Sequence, residues 1–129
     1  MPEMIEVEYY RRVAERAAGR TIATVAAPDA WYLKGGTTAR ALTAALRGVT
    51  VTGTHRIGKL LLLETDGPTL GLRFGMTGRL LVDGHGPIEK LEYSSDRKDP
   101  AWIRFGLGFD GGGTMQLEDP RRLGGGELA

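Results

Sequence analysis

Apolar residues recur at helical spacing in the first third of the chain and at alternate positions after it. Within residues 3–18, Ile5, Tyr9, Val13 and Ala17 repeat every four positions, and Val7, Tyr10 and Ala14 widen the stripe. That period predicts an amphipathic helix, and Gly19 is placed to stop it. Glu3, Glu6 and Glu8 fall in its first turns, where the helix dipole favours negative charge. Residues 21–27 are rich in β-branched side chains and predict a strand. A loop follows over 28–36, carrying Trp31, Tyr32 and Lys34, and the pattern leaves open whether they pack on the domain or touch a ligand. Thr37 or Thr38 can cap a second helix whose apolar face is Ala41, Leu42, Ala45 and Leu46, ended by Gly48.

From residue 49 the period is two. Strands are expected over 49–54, 59–65, 69–74, 79–82, 91–93, 102–109 and 114–117. Asp66-Gly67, Asp83-Gly84 and Asp110-Gly111-Gly112-Gly113 supply the turns. Two helices with about eight short strands predict an α+β domain, an antiparallel β-sandwich flanked by the helices. The expected domain is 1–123; 124–129, with its run Gly124-Gly125-Gly126, is expected to begin a linker toward a second half.

Composition narrows the chemistry. The chain has 129 residues, 41% of them hydrophobic and 26% charged, as in an ordinary single globular domain. The longest notable apolar run is Leu60-Leu61-Leu62-Leu63, far short of a membrane span. The first eight residues are acidic, unlike a signal peptide, so a cytoplasmic location is expected. With no cysteine there is no disulfide, thiolate chemistry or Cys-based zinc site, and two histidines are too few for a His-rich metal centre. Net charge is only +1, but arginine and lysine gather at Arg11-Arg12, Arg56 to Lys59, Arg73 to Arg79 and Arg121-Arg122, so a local basic face is possible.

The second residue is the one with unusual chemistry. Removal of Met1 exposes Pro2 as a terminal secondary amine. An α-amine titrates near about pH 8, well below a lysine, so a neutral, nucleophilic fraction exists at neutral pH. Such an amine attacks aldehydes and sugar anomeric carbons and forms an iminium. Glu3 stands beside it as an acid or base. By themselves these are a common Met-Pro start and a first-turn helix acid.

Four motifs follow one another along the chain: Pro2-Glu3-x-x-Glu6-Val7-Glu8, Arg56-x-Gly58-Lys59-x-Leu61-Leu62, Gly75-Met76-Thr77-Gly78 and Asp119-Pro120-Arg121-Arg122-x-Gly124. Together they resemble the N-terminal domain of the formamidopyrimidine-DNA glycosylase and endonuclease VIII family, over essentially the whole chain. The resemblance implies a bifunctional DNA glycosylase and abasic-site lyase acting in base excision repair on double-stranded DNA with damaged, oxidised bases or abasic sites. It implies that Pro2 attacks C1′ of a flipped nucleotide, that Glu3 is the general acid/base, and that Lys59 binds phosphate beside the lesion. It further implies that Glu6 helps hold the flipped nucleotide, that Met76 fills the vacated space, and that Arg121 reaches the orphaned base. Arg122 and Arg73 are then phosphate donors, and Leu123 a second wedge. No cofactor is expected in this chain; the family's zinc finger belongs to a C-terminal half whose helix–two-turn–helix motif is not encoded here.

The chain departs from the family pattern at three places. Leu123 stands where a phenylalanine wedge is usual, Arg73 replaces a common histidine, and Met4-Ile5 replaces Leu-Pro. These leave a second class of function in view, a non-catalytic DNA- or protein-binding relative of the same fold. A proline tautomerase, a third class, needs a β-α-β pattern that the chain lacks. The lesion excised is not legible, because much of that pocket comes from the family's other half.

Overall fold

The computed structural model describes residues 4–27, 33, 37–74, 78–83, 103–119 and 125–128. Helix α1 (Met4–Ala14) runs into a 3-10 turn (Glu15–Ala17) and stops at Gly19, whose φ of +87° suits a residue without a Cβ. Strand β1 (Ile22–Ala26) precedes helix α2 (Ala39–Leu46). Of the two possible caps for α2, Thr38 serves: its Oγ1 accepts from Ala41 N at 3.0 Å. The remaining strands are β2 (Val51–Ile57), β3 (Leu60–Thr65), β4 (Leu70–Arg73), β5 (Arg79–Val82), β6 (Ile103–Phe109), β7 (Thr114–Glu118) and β8 (Gly125–Leu128).

The strands form two antiparallel four-stranded sheets, ordered β1-β6-β7-β5 and β2-β3-β4-β8. Among the described residues the expected α+β sandwich with two helices is therefore the observed architecture. Its core is mainly aliphatic, with Tyr10, Phe74, Phe105 and Phe109 buried among the leucines. Leu61 and Leu63 of β3, Leu70 and Leu72 of β4, Leu80 of β5, Leu107 of β6 and Leu117 of β7 are buried with Leu42 and Leu46 of α2. In β3 the leucine run resolves into alternation: Leu61 and Leu63 are buried, Leu60 and Leu62 half-buried.

Several expectations need correction. The buried face of α1 is Val7, Tyr10, Val13 and Ala14, continued by Ala17 of the 3-10 turn, whereas Ile5 is 63% exposed. A strict four-residue repeat drifts around a helix of about 3.6 residues per turn, so the stripe from Ile5 to Ala17 begins off the core. Strand β2 does not stop at Thr54 but continues to Ile57, where it pairs with Leu60. Lys59 is consequently in the β2–β3 turn and not in a strand, beside Gly58 at a φ of +59°. The presumed linker is structured: Gly125–Leu128 is the edge strand β8 on β4, and Gly126 also bridges Leu33 in parallel. The expected strand over 91–93, and Trp31, Tyr32 and Lys34, lie outside the described residues.

Candidate functional site

Helix α1 lies antiparallel along β2, and side chains fix that direction. Glu8 reaches Arg56, Arg11 reaches Thr54, and Gly19 N donates to Val51 O at 2.7 Å. The helix start therefore sits at the end of β2 that turns at Gly58-Lys59. Pro2 and Glu3 are outside the described residues but join the chain at Met4, on this same end. Glu6 is half-buried on the first turn.

Glu8 organises the junction. Its Oε1 accepts from Arg11 Nε at 2.9 Å and Arg56 Nε at 3.1 Å; its Oε2 accepts from Arg11 Nη2 at 2.8 Å and Arg12 Nε at 3.3 Å. Arg56 then donates through Nη1 to Gly58 O at 2.9 Å, so one arginine ties the helix to the turn that presents Lys59. The hydrogen bonds from Arg11, with help from Arg56 and Arg12 and against the cost of desolvation, hold the Glu8 carboxyl down at about 2.

The second sheet ends level at this face. Ile57 is opposite Leu60, Leu60 opposite Arg73, and Arg73 opposite Gly125. Lys59 and Arg73 are exposed there. Phe74, next along, stacks on Tyr10 of α1 with ring centroids 4.7 Å apart, and its carbonyl accepts from Gly78 N at 2.8 Å. A Cβ on Gly78 would collide with that carbonyl oxygen, so the position is reserved for glycine. Met76, Arg121, Arg122 and Leu123 lie outside the described residues. Their flanks do not: Phe74 and Gly78 bracket one segment, and Asp119 and Gly125 bracket the other.

The fold thus brings the start of α1, Lys59, Arg73 and the flanks of both loop motifs to one end. The large apolar side chains exposed among the described residues, Ile5 (63%) and Ile57 (59%), belong to the first turn of α1 and the last residue of β2 at this same end. Sequence reasoning missed Glu8 and Arg56 as organisers of the turn, and missed a pair on the first sheet, Arg79 with Glu118. Their partners are 48 and 39 residues away, beyond any local pattern. The described residues contain no group of three His, Cys, Asp or Glu side chains able to hold a metal, and no helix long and apolar enough to cross a membrane.

This two-sheet arrangement is shared with solved DNA glycosylase structures. The complex of Lactococcus lactis Fpg with DNA containing an abasic site superposes with a TM-score of 0.81 at 26% identity, covering 99% of this chain and 44% of that one. A complex of inhibited LlFpg with DNA containing N7-benzyl-Fapy-dG gives 0.81 at 26% identity, over 99% and 44%. By sequence, the formamidopyrimidine-DNA glycosylase of Idiomarina loihiensis is 37% identical over 128 residues, 96% of this chain and 42% of the relative. That of Mycolicibacterium smegmatis is 35% identical over 131 residues, 99% and 42%. The model of the formamidopyrimidine-DNA glycosylase N-terminal domain matches residues 1–125, and the chain belongs to that family. It spans less than half the length of these relatives.

Proposed function

We propose that this chain, strand β8 included, forms the catalytic N-terminal domain of a DNA glycosylase and abasic-site lyase acting on damaged double-stranded DNA in the cytoplasm. The observation that carries this reading is the antiparallel run of α1 along β2, which sets the helix start against the Lys59 turn. An N-terminal amine would there meet an exposed lysine and arginine suited to phosphates on either side of a nucleotide.

The chemistry follows from those residues. The neutral Pro2 amine attacks C1′, and the bond from C1′ to the damaged base breaks as the base leaves with its electron pair and takes up the proton that the amine sheds. Glu3 protonates the ring oxygen as the C1′–O4′ bond opens, leaving an iminium between Pro2 and C1′. Loss of a C2′ proton to the Glu3 carboxylate then expels the 3′ phosphate, and loss of a C4′ proton in a second elimination expels the 5′ phosphate. Lys59 and Arg73 hold the phosphates, Glu6 supports the flipped nucleotide, and Met76, Arg121 and Leu123 occupy the duplex at the gap while Arg122 takes a phosphate. No step calls for a metal or cofactor.

Incubation of the chain with an end-labelled duplex bearing one abasic site tests the proposal. The expected result is strand cleavage giving β- and δ-elimination ends, lost in Pro2→Gly. Binding without cleavage, by a chain whose Pro2 amine is free, would instead favour the non-catalytic relative.

A further inference from the structure

Two connections between the sheets begin and end at neighbouring strand positions. One leaves β4 after Arg73 and enters β5 at Arg79; the other leaves β7 after Glu118 and enters β8 at Gly125. They start and finish at paired positions, Arg73 opposite Gly125 on one sheet and Arg79 opposite Glu118 on the other. The first contains Met76, the second Arg121 and Leu123.

At the second pairing the strands are joined by an ion pair between a half-buried arginine and a buried glutamate. Arg79 Nε and Nη2 donate to Glu118 Oε1 at 2.9 and 2.8 Å, and the side chains are only 17% and 5% exposed. The neighbours on each crossing are held as well. Gly78 N donates to Phe74 O at 2.8 Å, and Arg104 Nε donates at 2.9 Å to the carbonyl of Asp119, a fully buried residue. A pair this deep is a weak source of net stability, because desolvating both charges offsets much of their attraction. What such a pair does well is fix one geometry between two elements.

We infer that Arg79 and Glu118 are positioning residues that make the two crossings act as one unit. The side chain that fills a vacated base position and the one that addresses the opposite base then enter the duplex in a fixed relation. This rests on the function proposed above, and neither residue touches substrate.

The test compares the chain with Glu118→Gln, which removes the charge and keeps the shape, and with the double variant R79E/E118R, which restores a pair of opposite sense. Two readouts are taken: the Met76 methyl resonance in methionine-labelled protein, assigned with Met76→Leu, and borohydride trapping on abasic sites in duplex and in single-stranded DNA. Glu118→Gln should shift the Met76 resonance and cut duplex trapping about tenfold, leaving single-strand trapping within about twofold, since only the duplex needs both crossings aligned. The double variant should recover both signals. An unchanged Met76 resonance, or equal losses on both substrates, would overturn the inference. If the unaltered chain traps neither substrate, the functional reading fails, and the methyl resonance still decides whether the crossings are coupled.

Discussion

The two ends of this sandwich carry similar ion pairs put to different use. At the end away from the candidate site, Arg20 grips Asp83 with two hydrogen bonds of 3.0 and 2.8 Å, and lies 5.4 Å from the centre of the Phe109 ring. Asp83 also closes its own turn, exchanging backbone and side-chain bonds with Thr114 at a φ of 54°. Around it the backbone ties the start of β1 to the connection between α2 and β2: Ile22 N donates to Val49 O, and Gly48 N to Ile22 O. Every one of these contacts closes on the protein. At the other end Glu8–Arg56 and Arg79–Glu118 are set one step behind the exposed edge, each beside a segment that the sequence motifs mark. Arginine–carboxylate pairs thus do not identify a site; their position behind exposed cations and chain crossings does.

Substitutions can break this contrast, and the largest effect is expected at Phe74. Phe74→Ala removes a buried ring stacked on Tyr10 and loosens the entry to the 75–77 segment. It should cost about 3–5 kcal/mol in urea unfolding and lower trapping on duplex DNA as well. A loss of stability with full trapping would separate the stack from the site.

Glu8→Gln should cost less, about 1–3 kcal/mol at neutral pH, through hydrogen bonds to a charged group. Its signature is in pH. The folded carboxyl titrates at about 2 against an ordinary 4.5, so it stabilises fully above about 4.5, and that stability is lost as pH falls toward 2. Acid unfolding of the variant should lack this component. Identical acid profiles for the two proteins would show that the junction does not depend on the charge.

Arg20→Ala tests the far end. The pair raises the arginine above its already high range, but it is about a third exposed, so the expected cost is about 1 kcal/mol or less. DNA binding should not change. Lys59→Ala, the smallest change in stability, should stay within about 0.5 kcal/mol because the side chain is exposed. It should nevertheless reduce the slope of DNA affinity against salt by about one. If Arg20 and Lys59 variants behaved alike toward DNA, the two ends would not differ as described.

Local signals were legible in the sequence, and pairings were not. Thr38 as a cap, Gly19 and Gly48 as stops, and β5 at its full extent follow from residues that act on their own neighbourhood. The position of Lys59 depends on where the hairpin turns, which the positive φ of Gly58 sets together with the β2–β3 register. Strand β8 reads as a linker because Gly125-Gly126-Glu127-Leu128 has little intrinsic preference for extended structure. It is a strand because β4 offers it an edge. The four motifs point to one end of the sandwich by kinship, whereas Glu8–Arg56 and Arg79–Glu118 emerge only once distant strands are laid side by side.

The most direct test of the account is to map the covalent adduct. The chain, with Met1 removed, is mixed with a duplex holding one abasic site, reduced with borohydride, digested and sequenced by mass spectrometry. The account predicts that the sugar remnant is carried by the Pro2 amine and that Lys59→Ala weakens trapping without moving the adduct. An adduct on Lys59, or no adduct from a folded chain with a free Pro2 amine, would contradict it.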